Sequence, residues 1–150
     1  MIQRIQSLYL FIVIAALSLM FFMPVAQIHV PAGESLDFFI YGISIKGEAM
    51  SANWTSISII SILIINSLLT ILSFKNRIRQ VRLSIVNIIM MVGSVLLLWY
   101  NISSQANFAK AEIIYKAPMI IPIVCIVLTY LAIRAIGKDS SLIKSMDRIR

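Results

Sequence analysis

The sequence predicts an all-α membrane protein: a four-transmembrane-helix bundle with a short β-hairpin in its first outer loop. Three observations carry that prediction. The chain of 150 residues is 60% hydrophobic and 13% charged, whereas an ordinary soluble domain is about a quarter charged. Its apolar residues fall into four runs, each near the roughly 20 residues that a spanning helix needs. Its cations, which leave a net charge of +7, collect on one side of the membrane if all four runs cross. The length suits a single domain over residues 1–150.

The first span is expected from Ile5 to Val25. Arg4 and the apolar Leu8–Met23 stretch have the outline of a secretory leader, but Pro24-Val25-Ala26-Gln27 is a poor cleavage site. An uncleaved helix is therefore predicted. In the outer loop 26–54, Phe39, Tyr41, Ile43 and Ile45 alternate with Ile40, Gly42, Ser44 and Lys46, the period of a strand. Gln27-Ile28-His29-Val30 is the expected partner strand, with Pro31-Ala32-Gly33 opening the turn.

The second span is expected from Thr55 to Phe74, the third from Leu83 to Ile102 and the fourth from Pro118 to Ile136. Trp54, Trp99 and Tyr100 then stand at the outer ends of spans two and three, where amphipathic rings favour the interface. Pro118 suits a first helical turn, while Pro122 removes a backbone hydrogen bond and is expected to bend the fourth helix. The tail 137–150 carries Leu142, Met146 and Ile149 at helical spacing among Lys144, Arg148 and Arg150. That pattern predicts a short helix resting on the inner leaflet.

The cations orient the bundle. Arg4, the inner loop 75–82 with Lys75, Arg77, Arg79 and Arg82, and Arg134, Lys138, Lys144, Arg148 and Arg150 make ten of the thirteen basic residues. They all lie on one side of four spans; Lys46, Lys110 and Lys116 lie on the other, with Glu34, Asp37, Glu48 and Glu112. Cations are retained on the cytoplasmic face, so both termini are expected inside. Basic residues beside apolar runs point to topology and anionic lipid headgroups, not to nucleic acid. Lys75, Arg77, Arg79 and Arg82 are the candidate contacts for a headgroup or a docking partner.

Polar residues within the spans form a second candidate site. Asn66, Ser67, Thr70 and Ser73 share one face of span two, with Ser56 close to it, and Ser84, Asn87, Ser94 and Asn101 share one face of span three. A short loop joins these spans, so they must pack as an antiparallel pair. The candidate seam is Asn66, Thr70, Asn87 and Ser94, with Asn87 level with Thr70 and Asn66 between Asn87 and Ser94. Its amides and hydroxyls can bind one another or line a small polar pathway, but they carry no charge.

The opening Met1-Ile2-Gln3-Arg4-Ile5-Gln6 and the inner loop Lys75-Asn76-Arg77-Ile78-Arg79-Gln80-Val81-Arg82-Leu83 resemble a bacterial family designated domain of unknown function 4293. The resemblance covers the whole chain. It implies four spans and an inner-membrane location, and brings no activity, substrate or site residue with it.

No cofactor and no catalytic residue is expected. The spans contain no histidine to ligate a haem and no carboxylate or histidine to activate a serine or carry a proton. Cys125 is the single cysteine and lies in an apolar run, so it forms no internal disulfide. His29, the single histidine, sits in the outer loop, near Glu34, Asp37 and Glu48. Asn53-Trp54-Thr55 matches a glycosylation acceptor, a reading that lapses in a bacterial inner membrane.

Three functional readings follow. The first is a non-catalytic accessory or assembly subunit of a larger inner-membrane complex, with lipids and a membrane-protein partner, or self-association, as its contacts. The second is a small oligomeric channel or facilitator using the Asn/Ser seam. The third is a lipid-interacting protein.

Overall fold

The computed structural model describes residues 3–29, 35–45, 48–74, 76–109 and 111–147. Helix α1 (Gln3–Leu19) leads into strands β1 (Ala26–His29), β2 (Ser35–Phe39), β3 (Gly42–Ile45) and β4 (Glu48–Ala52). Then come α2 (Trp54–Leu72), α3 (Arg77–Ala109), β5 (Glu112–Tyr115), a 3-10 turn (Ala117–Ile120) and α4 (Ile121–Asp147). Helix α1 packs against α2 and α4, and α3 packs against the same two, so the helices form an up-down-up-down ring.

One spacing rule builds the bundle. The side chains buried in its interior are Gln6, Leu10, Val13, Leu17 and Met20 from α1 and the turn after it, and Ser56, Ile60, Leu63, Ser67 and Thr70 from α2. Helix α3 contributes Gln80, Ser84, Asn87, Met91, Ser94, Leu98 and Ile102, and α4 contributes Pro122, Cys125, Thr129, Ala132 and Ile136. Almost every step along each helix is four or three residues, the repeat that keeps one seam facing its neighbours. The opposite faces expose Phe11, Ile65, Ile89, Leu96 and Val127. Large apolar side chains facing outward suit lipid as the surrounding solvent.

Trp54–Leu72, Arg77–Gln105 and Ala117–Lys138 are long and apolar enough to cross a membrane. The apolar part of α1, Ile5–Leu19, falls short of that length. The expected first span is cut because the chain turns at Met20–Met23 and enters β1 at Ala26. The second span starts at Trp54 and ends at Leu72, close to expectation. The third departs further: α3 has 33 residues and measures about 50 Å at 1.5 Å per residue.

The expected inner loop 75–82 is therefore mostly helix. Ser73 N–H donates to Leu69 O at 3.0 Å, Asn76 N–H to Ser73 O at 3.0 Å and Gln80 N–H to Asn76 O at 3.0 Å, so α3 follows α2 within one tight turn. Lys75 lies outside the described residues.

The expected hairpin is part of a five-stranded antiparallel sheet in the order β4-β3-β2-β1-β5. Residues 39–45 do not form one strand. The chain reverses at Ile40–Tyr41, with Phe39 opposite Gly42, and Gly42 takes a φ of 151°. A side chain disfavours that conformation, so the glycine places the turn. Gln27 pairs with Asp37 on one side and Ile114 on the other, so β5, from the α3–α4 connection, completes the sheet. Val25, Ala26, Ile28, Phe38, Ile40 and Ile43 bury one sheet face against Leu17, Met20 and the neighbouring helix ends. Residues 30–34, with the expected turn Pro31-Ala32-Gly33, lie outside the described residues, as do Lys46 and Lys110.

Two expectations for the fourth helix are corrected. Pro118 sits in the 3-10 turn and Pro122 in the first turn of α4, where a helix has no bond for proline to remove. Pro122 therefore starts the helix instead of bending it. Beyond it α4 continues to Asp147 without the break that a separate tail helix would need; residues 148–150 lie outside the described residues.

Gly42→Val should destabilise the sheet by about 1–3 kcal/mol, because φ near that value strains any side chain. The measurement is the thermal midpoint of the full chain in detergent, where an unchanged value would contradict the assigned turn.

Candidate functional site

The half of the bundle toward Arg77, Arg79 and Arg82, here the basic end, holds the basic site and the bonded part of the polar seam; Ser94, between Met90 and Leu97 on α3, lies level with the start of α2 toward the sheet. Inside lies the polar seam. Asn87 is fully buried on α3 and its Nδ2 donates to Ser67 Oγ of α2 at 2.8 Å. Ser67 Oγ in turn donates to Leu63 O at 2.8 Å. Beside it, Asn66 Nδ2 donates to Leu83 O at 3.2 Å, again joining α2 to α3.

Thr70 and Ser94 are both buried, yet neither bonds across the helix pair in the way the seam predicts. Thr70 Oγ1 donates to Asn66 O at 2.7 Å and Ser94 Oγ to Met91 O at 2.7 Å, each within its own helix. The expected depths shift for a simple reason. Helix α3 begins at Arg77, not Leu83, so each of its residues lies further along the bundle from α2's last turn than a loop reaching to 82 would place it. Asn66 consequently faces Leu83 and not the stretch between Asn87 and Ser94.

The interior at this end is more polar than the seam alone. Gln6 of α1 and Gln80 and Ser84 of α3 are buried at 5%, 3% and 0% exposure, continuing the four-and-three repeats of their helices. Ser84 Oγ donates to Gln80 O at 2.9 Å. Gln6 Nε2 and Asn87 Oδ1 have no hydrogen-bond partner among the described residues. Gln80 stands in the expected inner loop, outside the apolar runs, and Gln6 stands at the first turn of the expected span 5–25, ahead of its apolar Leu8–Met23 stretch. Extending each helix's repeat beyond its apolar run would have found them.

On the outside lies the basic site. A cleft of about 460 Å³ is lined by Asn76, Arg77, Ile78, Arg79 and Arg82. Arg79 and Arg82 are exposed and Arg77 is half-buried. The first turn of α3 contains no acidic residue, although a helix N-terminus favours negative charge. The sequence thus puts like charges where the helix dipole is already positive.

The other residues singled out have structural settings. His29 ends β1 opposite Ser35 and Glu112. Asp37 pairs with Lys116 Nζ at 3.1 Å, tying β2 to the chain between β5 and α4. Asn53 Oδ1 accepts Ser56 N–H at 3.3 Å as the cap of α2. Cys125 is buried beside α1. Trp54, Trp99 and Tyr100 are exposed near the sheet end, as interface aromatics should be.

A family model described as "Domain of unknown function (DUF4293)" matches residues 2–149. No curated protein matches the chain.

The Asn87–Ser67 contact should show as a coupling energy. In a double-mutant cycle of Asn87→Leu and Ser67→Ala, unfolding in detergent should give a coupling of about 0.6 kcal/mol, and no more than about 1.7. Strict additivity would mean that the contact contributes nothing to holding α2 on α3.

Proposed function

The chain belongs to the DUF4293 family, and we propose that it is a non-catalytic accessory or assembly subunit of a larger complex in the bacterial inner membrane. The observation that carries this reading is the sheet. Both connections at that end of the bundle, 20–53 and 110–116, contribute to it, and its order leaves β4 as an edge strand. An edge offers unpaired backbone groups to a strand of another chain. The β3–β4 ladder is also irregular: Ile43 faces Ser51 and Ser44 faces Ala49, which leaves Met50 as an extra residue. A bulge of this kind twists an edge away from indiscriminate stacking and leaves room for a specific partner.

In this reading the chain crosses the membrane four times. Hydrogen bonds from Phe21 N–H to Ser18 O and Phe22 N–H to Leu19 O extend α1 by one tighter turn. With that turn it reaches about 20 residues, the length that spans the hydrocarbon. It also packs against α2 and α4, both of which are long enough to cross. The arginines of α3 support placing the basic end, and with it both termini, in the cytoplasm. The sheet then stands on the opposite surface.

The buried seam supports the same reading over the channel. Ser67 and Asn87 are enclosed by the chain's own helices and bound to one another, which suits a fastening between α2 and α3.

Orientation and docking are separately measurable. Ser35→Cys should react with a membrane-impermeant maleimide in intact cells, and Asn76→Cys only after the inner membrane is opened; the reverse order would overturn the topology. Ala52→Lys, which charges the exposed end of β4, should reduce the partner recovered with the tagged chain at least fivefold at unchanged membrane abundance. Unchanged recovery would rule out β4 as the docking edge.

A further inference from the structure

We propose that the cleft at the start of α3 holds the phosphate of an anionic phospholipid from the leaflet at the basic end. The inference rests on the membrane reading above and is independent of any protein partner. Its first support is charge. Asn76, Arg79 and Arg82 line one cleft of about 460 Å³ at a helix N-terminus without an acidic residue. The guanidinium groups and the helix dipole all favour an anion there, and Arg binds phosphate through paired N–H groups.

The second support separates a lipid from a free phosphate. Ile78, Ile85, Val86 and Ile89 are exposed by 72%, 47%, 46% and 65%. At 3.6 residues per turn they share the face of α3 that bears Arg79 and Arg82, opposite the buried Gln80, Ser84, Asn87 and Met91. Ile78 lines the cleft itself. One helix face therefore passes from cations to a continuous apolar strip running into the bilayer. That sequence of surfaces fits a molecule with a phosphate at one end and acyl chains at the other. Soluble phosphate would leave the strip unused.

The test is a titration of the purified full chain in detergent with phosphatidylglycerol, read by native mass spectrometry. The wild type should bind one such lipid, and Arg79→Gln/Arg82→Gln should need at least tenfold more for half occupancy. Arg79→Lys/Arg82→Lys, which keeps charge but loses the paired donors, should fall between. Lys138→Gln removes a cation outside the cleft and should match the wild type. Independently of any variant, phosphatidylglycerol should raise the thermal midpoint of the wild type and phosphatidylcholine should not, because a ligand stabilises the state it binds. Equal occupancy in the wild type and the double glutamine variant would overturn the site, as would an equal rise with both lipids. Displacement by millimolar glycerol phosphate would reassign the cleft to a soluble anion and overturn the lipid. Inverted topology would show in the maleimide labelling and not in this titration, so the two failures are distinguishable.

Discussion

The bundle depends on one constraint: each helix must present a continuous inward seam at steps of four and three residues while the rest of its surface tolerates lipid. Between helices in a bilayer, apolar burial gives little drive, because lipid tails are as apolar as leucine. Close packing and interhelical hydrogen bonds must supply it. This chain places its packing at Val13, Leu63, Met91 and Cys125, toward the middle, and its polar bonds at Ser67, Asn87 and Asn66, toward the basic end. The Asn87–Ser67 contact fixes rotation and depth of α2 against α3 together, since a shift of one turn would leave a buried amide without its hydroxyl.

The sheet follows from the same geometry. At the far end the connections 20–53 and 110–116 leave the helices next to one another, and every backbone group in them needs a partner or water. Pairing β1 with both β2 and β5 satisfies much of that need and joins the two connections into one cap. Phe38, Ile40 and Ile28 then seal the helix ends. Two bonds hold β5's side in place: Lys116 N–H to Val25 O at 2.9 Å and Lys116 Nζ to Asp37 at 3.1 Å. The salt bridge is about a third exposed on both sides, so it contributes little energy and acts mainly through its position.

Much of this was legible in the sequence because the strongest signals are local. Apolar runs gave both ends of α2 and the start of α4 to within three residues, and aromatic placement followed from them; α3 at both ends and α4 at its end run well past the apolar runs. The misses share a cause. Arg77–Arg82 reads as a loop because hydropathy falls there, yet Asn76 and Gln80 continue the backbone bonding, and charged residues are good helix formers beyond the bilayer. Glu112–Tyr115 is too short to read as a strand alone; β1 recruits it through a contact distant in sequence. The polar seam was found as a set of residues on facing helices, but its pairings were not, because they depend on where α3 starts. Gln80 lies in a stretch that reads as loop and Gln6 ahead of the apolar Leu8–Met23 stretch, so hydropathy alone marks neither as interior.

The two ends of the molecule have different chemistry: arginines and buried amides at one, a sheet with an edge strand at the other. Structural fastening and surfaces for contact explain both. That account is tested most directly by the mass of the intact particle, extracted in a gentle detergent from cells holding the tagged chain at native abundance. A particle containing this chain and other subunits in fixed stoichiometry is the predicted result. A lone monomer or a homo-oligomer of this chain would contradict it.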